Sequence, residues 1–568
     1  MKILSAAEMQ ACDRVTTEKF GVPSLQLMRS AAGAVASFAR LQFPAARRIT
    51  ILCGRGNNGG DGLMTARLLN EAGCEVTTLL LGDPDGLRGE TAQAWAELTA
   101  DKGLVRSGLP SRISSVILSA EELENHTGAI EKADLIVDAV VGTGFRPPLR
   151  DLPLAVLNWL KASLQSIPNP PPVLAIDLPS GWDADSTSAK PVGPGNLVYP
   201  ADAVVTFTAP KPAHVFGQLT RSICQPIVVA PIGSPDEAIV SDLNFHWSGS
   251  AKEITDLERP PDSNKGMYGH VLVIGGSTGK SGAPAMASLS ALRSGAGLVT
   301  AAVAPSVLPL VATVAPELMT QALATTPSGE ISPDNLAPDS LKALLHRITV
   351  LAIGPGLGTS PEAVEFALGL LSQSCVPGRL PAVVIDADAL NALATQPALL
   401  PKISANRTVV LTPHPGEMSR LTGQSIAEVE ANRLQIACEF ATKNQVTLVL
   451  KGWRTLIAHP DGSVAVNTTG NPGMAKGGSG DLLTGMVASL LAQHPKDPKQ
   501  AVEAAVYLHG LAADITVLTP GIGGDQHTLL ATDSLANLHR AFHFHPWAKA
   551  GYCWLQGLPA ELVSDDRV

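Results

Sequence analysis

Charged and aromatic side chains are scarce in this sequence: 16% of its 568 residues are charged and 4% aromatic, against 45% hydrophobic. So low a charge density excludes extensive disorder, and that much apolar material fills large buried cores. Basic clusters are also missing. The 51 acidic residues outnumber 41 basic ones, the net charge is -10, and no Lys/Arg block exists that could neutralise a run of phosphates, so nucleic acid is not an expected partner. The cysteines (Cys12, Cys53, Cys74, Cys224, Cys375, Cys438 and Cys553) are odd in number, scattered and never in a CxxC pair. They suggest neither a disulfide framework nor a zinc site, and a reducing cytoplasm is the expected location. His543, His545 and Cys553 lack zinc spacing. Glu8 interrupts the start before any apolar stretch of signal-peptide length, and the longer apolar runs contain Pro or Gly, so neither export nor a membrane partner is expected.

What is present has a rhythm. Short β-branched runs, Ile49 to Leu52, Leu135 to Val137 and Val173 to Ile176, alternate with helical stretches such as Leu63 to Ala72. The rhythm returns in Val271 to Ile274, Val350 to Ile353, Ala382 to Ile385, Val409 to Leu411 and Leu448 to Leu450. Such alternation predicts βαβ units and parallel sheets, and the length exceeds what one core sustains, so two α/β domains are expected. Residues 234–265 lose the period and gather Pro235, Pro260, Pro261 and Asp262, as a connector does. The expected domains are 1–241 and 242–548, followed by a patternless tail, 549–568. Flat α/β surfaces favour self-association, so a homo-oligomer is expected.

In the first domain, strand Ile49 to Leu52 runs into Cys53-Gly54-Arg55-Gly56-Asn57-Asn58-Gly59-Gly60-Asp61-Gly62. Glycines at a strand's carboxyl end let backbone amides approach an anion, although a tight turn needs them equally. Asp138 leads into Gly142-Thr143-Gly144-Phe145-Arg146-Pro147-Pro148, and Ile176 into Asp177-Leu178-Pro179-Ser180, so three polar loops converge on one rim. Asn58, Asp138 and Ser180 are hard oxygen donors suited to a weakly held monovalent cation, or else caps of turns and helices. These residues resemble the NAD(P)H-hydrate epimerase domain over most of 1–235. The resemblance implies a Rossmann-like three-layer αβα fold and a potassium ion at Asn58, Asp138 and Ser180. It further implies that Asn57, Asn58, Gly59, Gly60, Asp61, Gly142 to Pro148 and Asp177 contact a hydrated dinucleotide, with Asp177 the proton-transfer group.

In the second domain, Gly470-Asn471-Pro472-Gly473-Met474-Ala475-Lys476-Gly477-Gly478-Ser479-Gly480-Asp481 precedes the helical run Leu482 to Leu491. Glycine N–H groups at a helix start cradle a transferring phosphoryl group, and Asp481 beside them can take a proton from an attacking hydroxyl. Asp481 can also be read as a helix cap. Lys451-Gly452-Trp453-Arg454-Thr455 closes one strand with a cation, and Thr412-Pro413-His414-Pro415-Gly416-Glu417 closes another with an imidazole. Lys451 is equally an ordinary strand-end residue, and His414 a turn-fixing one.

These strings resemble the NAD(P)H-hydrate dehydratase family of the ribokinase-like fold over about 245–545. The resemblance implies that Ala283, Gly356, His414 and Asp481 touch the hydrated nucleotide, and that Lys451, Gly452, Trp453, Arg454, Thr455 and Gly480 hold ADP or ATP, with Mg2+. Together the two halves imply repair of hydrated NADH and NADPH, by epimerisation of the R and S forms followed by nucleotide-dependent dehydration of the S form. The alternative is a ribokinase-like small-molecule kinase with a non-catalytic N-terminal nucleotide-binding module.

Overall fold

Apolar runs flanked by helices become strands buried on both faces, because covering helices leave no wet face with which polar residues could alternate. The computed structural model describes the chain except residues 101–111, 194, 373–379, 520–524, 548–550 and 564–568, and the side chains of 561 and 563. Cys375 and part of the expected tail lie outside the described residues. Two compact units emerge, one of Lys2–Leu243 with His545–Val568, the other of Asn244–Phe544 with Met1.

The first unit holds β1 (Arg48–Cys53), β2 (Glu75–Leu81), β3 (Arg112–Ile117), β4 (Leu135–Ala139), β5 (Val173–Ile176), β6 (Ala203–Phe207) and β7 (Ile227–Ala230). They lie parallel in the order β3-β2-β1-β4-β5-β6-β7. One face carries Ile51 and Cys53 against the helix Asn57–Glu71, and the other carries Leu52 and Ile136 against Val156, Leu157 and Leu160 of the helix Asp151–Ser166. Chain order reverses between β1 and β4, and at such a switch point the loops part and leave a crevice.

The second unit holds β8 (Phe245–Trp247), β9 (His270–Ile274), β10 (Leu298–Val303), β11 (Met319–Ala322), β12 (Val350–Ile353), β13 (Ala382–Ile385), β14 (Val409–Leu411), β15 (Thr447–Leu450), β16 (Leu456–Ala458) and β17 (Val464–Val466). The order is β11-β10-β9-β12-β13-β14-β15-β16-β17-β8, parallel from β11 through β15 with a matching reversal between β9 and β12. Antiparallel pairing of β16 with β15 and β17 extends the sheet. The 21-residue helix Pro498–Leu518 is long and apolar enough to cross a membrane, but 83% of its apolar window is buried within the unit.

Four expectations are corrected. The connector 234–265 contains β8, which pairs with β17 and seats Trp247 fully buried, its Nε1 donating to Thr468 Oγ1 at 2.8 Å. The tail is not patternless: β18 (Cys553–Gln556) adds antiparallel to β7, and Trp554 and Tyr552 pack on Phe38 with ring centroids 5.9 and 5.4 Å away. The helix expected from Leu63 starts at Asn57, and the one expected from Leu482 starts at Ser479, so both glycine strings supply a helix's first turn.

Candidate active sites

In the first unit, the helix Asn57–Glu71 carries three glycines, each costing about 1 kcal/mol against alanine in a helix interior. Close approach explains their presence: a Cβ on Gly59 would stand 1.8 Å from the Gly54 carbonyl oxygen. The helix N-terminus is thereby drawn onto the end of β1, beside the β4 loop. A cavity of about 1490 Å³ opens there, and Asn57, Asn58, Asp61, Gly142 to Pro148 and Asp177 all line it. Gly59 and Gly60, expected at the ligand, are buried beneath Gly54 and Met28 instead.

Asp177 sits at the end of β5 with φ +66°, a left-handed conformation costing about 1–3 kcal/mol for a side-chain-bearing residue and retained where surroundings enforce it. His214 enforces it. Its Nδ1 accepts from Lys211 N at 2.9 Å, which leaves Nε2–H to donate to the Asp177 carbonyl at 2.7 Å. Burial pushes the His214 imidazole down to about 4, so the ring stays neutral at pH 7. The Asp177 carboxylate accepts from Lys211 Nζ at 3.0 Å and Thr206 Oγ1 at 2.9 Å on Oδ1, and from Thr143 N at 3.1 Å on Oδ2. Burial alone would raise its pKa, but the Lys211 ammonium and these hydrogen bonds hold it below the usual carboxylate range. Asp13 and Asp61 line the same cavity, and burial pushes Asp13 up to about 6 and Asp61 well above its ordinary value.

Asp138 and Ser180 are brought together beneath the cavity. Ser180 Oγ donates to Asp138 Oδ1 at 2.6 Å, Ser180 N to Oδ2 at 2.8 Å, and Val141 N to Ser180 Oγ at 2.9 Å. Burial pushes the Asp138 carboxyl up to about 6. Asn58 packs on Gly142, where a Cβ would come 3.2 Å from Asn58 Cβ, and its amide nitrogen is buried without a hydrogen-bond partner.

In the second unit, Gly478 adopts φ +97° as N-cap of the helix Ser479–Gln493, a conformation that favours glycine and turns the chain abruptly into the helix. Asp481 falls in the first turn, where burial pushes its carboxyl up to about 6, with Asp386 adding repulsion and Lys451 opposing. Lys451 Nζ donates to Asp386 Oδ1 at 3.2 Å and lies 3.9 Å from Glu417 Oε2, and Thr484, one turn after Asp481, donates to Asp386 Oδ2 at 2.6 Å. Asp386 therefore ties the end of β13 to both the β15 lysine and the glycine-led helix. His414 caps the helix Pro415–Thr422, its Nδ1 accepting from Gly416 N at 3.0 Å, and burial with Lys451 nearby lowers its pKa, leaving a half-exposed neutral ring. Ala283 and Gly356 stand side by side, with a Cβ on Gly356 falling 3.5 Å from Ala283 Cβ. Ser290 Oγ donates to Leu482 O at 2.8 Å and locks the helix Gly282–Arg293 onto the Ser479–Gln493 helix. Gly480 leaves room for Lys451, whose Nζ would be 3.4 Å from a Cβ there.

Arg454, expected at the nucleotide, turns inward: its buried guanidinium donates to Thr468 O at 2.7 Å and stacks 4.5 Å over Trp453. Asp386, Lys211 and Asp13 were not read from sequence. Asp386 directly follows the run Ala382 to Ile385, so the strand-end rule applied one residue further would have found it. Lys211 and Asp13 carry no such local signal.

Residues 24–213 match the family model described as YjeF-related protein N-terminus, and residues 271–534 that of NAD(P)H-hydrate dehydratase. The bifunctional NAD(P)H-hydrate repair enzyme Nnr of Moorella thermoacetica is 40% identical over 94% of this chain and 95% of its own. That of Coxiella burnetii is 37% identical over 94% and 97%. A solved ADP/ATP-dependent NAD(P)H-hydrate dehydratase from Bacillus subtilis, co-crystallized with ATP/Mg2+, is 34% identical over 53% of this chain and 99% of its own, with a TM-score of 0.43.

Proposed function

We propose a division of labour between two sites, from the premise that this chain belongs to the bifunctional NAD(P)H-hydrate repair enzymes. The unit Lys2–Leu243 with its β18 return epimerises the R and S hydrates of NADH and NADPH, and the unit Asn244–Phe544 dehydrates the S form at the expense of ADP or ATP. The carrying observation is Asp481, poised in the first turn of a glycine-led helix beside Lys451 and Asp386.

In the dehydratase, Asp481 takes the proton of the ring hydroxyl as its oxygen attacks the terminal phosphorus of the nucleotide, whose bridging P–O bond breaks to release AMP from ADP or ADP from ATP. Backbone amides of Gly478 to Asp481 and the Lys451 ammonium stabilise the charge on the migrating phosphoryl group. The phosphorylated hydroxyl then leaves as phosphate, pushed by the ring nitrogen's electron pair, and loss of a proton from the neighbouring carbon restores the double bond. His414, Ala283 and Gly356 line the hydrated ring, and Lys451, Gly452, Trp453 and Thr455 with Gly480 the nucleotide. Mg2+, when bound with the nucleotide, would neutralise charge on its phosphate oxygens.

In the epimerase, Asp177 is the base that works on the ring hydroxyl, with Asn57, Asn58, Asp61 and Gly142 to Pro148 around the dinucleotide. A potassium ion fits the donors at Asn58, Asp138 and Ser180, which are all oxygens apart from one re-orientable amide and carry a single buried carboxylate. It would supply a positive charge beneath the floor of the cavity. We place the enzyme in the reducing cytoplasm as a homo-oligomer, working on small molecules rather than on nucleic acid or membranes.

The test is incubation of a mixture of R and S hydrated NADH with ADP or ATP, following NADH. Recovery of the whole pool supports the reading, and a stable phosphorylated product without NADH contradicts it.

A further inference from the structure

We infer that Asp13, on the helix Ala6–Glu18, is a second catalytic residue of the N-terminal site, the acid that protonates the ring nitrogen of the hydrate while Asp177 takes the proton of its hydroxyl. The inference rests on reading that site as an epimerase.

The fold delivers Asp13 there by a route separate from the strand-end loops. Ser5 caps its helix, with Glu8 N donating to Ser5 Oγ at 3.2 Å and Ser5 N to Glu8 Oε2 at 2.7 Å. Leu4 N then donates to Pro210 O at 2.9 Å, and Leu4, Met9 and Cys12 pack on Ala209 and Ala238. The helix is thereby anchored to the loop that carries Lys211, and the next residue after Cys12 opens into the cavity shared with Asp177, Asp61 and Lys211. Asp13 Oδ1 is shielded from solvent and has no hydrogen-bond partner, which in a ligand cavity marks a group whose partner arrives with the ligand.

Charge sorts the three carboxyls. Lys211 Nζ is committed to Asp177 and Thr206, so Asp177 is fixed as the anion. Asp13 and Asp61 have no ion-pair partner among the described residues. Burial together with Asp177 and Asp13 keeps the Asp61 proton in place, whereas Asp13, pushed up by burial but eased by Lys211, exchanges its proton near pH 6. One group can accept and another can donate within one cavity, as a reaction with no net proton change needs.

Adding water across an enamine puts the hydroxyl on the ring carbon bonded to nitrogen, and inversion requires that carbon to become planar. Asp177 removes the hydroxyl proton, the carbon–oxygen bond becomes a carbonyl, and the carbon–nitrogen pair moves to nitrogen, which takes the proton of Asp13. Rotation about the neighbouring carbon–carbon bond presents the other face. Nitrogen then adds back, returning its proton to Asp13, while Asp177 returns its own to the oxygen. Each bond broken is remade and nothing is consumed.

The test compares full-length wild type with Asp13→Asn, using separated R and S hydrates. Epimerisation kcat is expected to fall at least about 100-fold, with KM changed less than about threefold and dehydration of the S hydrate unchanged. The wild-type epimerisation rate falls as pH rises through about 6, with Lys211, Asp177, Asp61 and Cys12 the titratable groups facing Asp13, and the variant lacks that limb. Asp13→Glu restores part of both rate and limb. Wild-type kcat in Asp13→Asn, or an unchanged limb, overturns the role of Asp13 alone. A wild-type chain that fails to interconvert the hydrates overturns the epimerase reading, and the inference with it.

Discussion

Each unit sets a lysine against an aspartate at the ends of parallel strands, yet uses the pair differently. In the first, Lys211 and Asp177 stand 3.0 Å apart with side chains 2% and 10% exposed, and the paired aspartate is itself the group we propose to react. In the second, Lys451 and Asp386 stand 3.2 Å apart, the lysine 22% exposed, and the paired aspartate adjoins another, Asp481, which makes no ion pair among the described residues. A fixed anion suits a reaction that returns every proton it borrows. Both readings have a carboxylate take a hydroxyl proton, and the one raised to about 6 is the stronger base, which suits the step that must ready an oxygen to attack phosphorus.

The sharpest way to break the comparison is to neutralise each reacting carboxylate. Asp481→Asn should lower dehydration kcat by roughly 1000-fold and leave epimerisation intact, with Asp177→Asn doing the reverse, as assays with separated hydrates would show. Equal loss in both assays from either change would end the division. Next come the lysines. Lys211→Met leaves Asp177 as a buried unpaired charge and should cost about 3–5 kcal/mol by denaturant unfolding. Lys451→Met should cost roughly 1–2 kcal/mol, because Asp386 is left with Thr484 as a donor and water reaches the site.

The β18 return sharpens the contrast in stability. Trp554→Ala should destabilise its unit by about 3 kcal/mol, read as a lower unfolding midpoint, while dehydration at moderate temperature is preserved. The smallest effect concerns pH. Because the Asp481 carboxyl is raised and its ionised form is the base, dehydration should rise as pH increases through about 6. Asp386→Asn removes a repelling charge and should move that midpoint down, as a pH–rate profile would show.

Much of this was legible in the chain. The runs Val173 to Ile176, Val350 to Ile353, Ala382 to Ile385 and Val409 to Leu411 are strands with the expected ends, because strands covered on both faces show as unbroken β-branched runs. Asp177 and Asp481 stand out in the sequence because each adjoins a glycine- or proline-rich string at an element's end. Long-range pairing was not legible. Nothing local in Cys553–Gln556 announces a partner more than 300 residues earlier, and Phe245–Trp247 is too short to stand out in a proline-rich stretch. Asp13 lies on an amphipathic helix where a carboxylate ordinarily faces water, and only the anchoring of that helix to the Lys211 loop turns it into a cavity.

The central claim, two independent sites acting in turn on one pool, is tested most directly by mixing the two blocked chains. Asp177→Asn alone, given mixed hydrates and ADP or ATP, should rapidly recover only the S fraction, and Asp481→Asn alone should recover none. The account predicts that an equimolar mixture recovers the whole pool as NADH. A mixture that stalls at the S fraction, or an Asp177→Asn chain that by itself reaches completion at the wild-type rate, would contradict it.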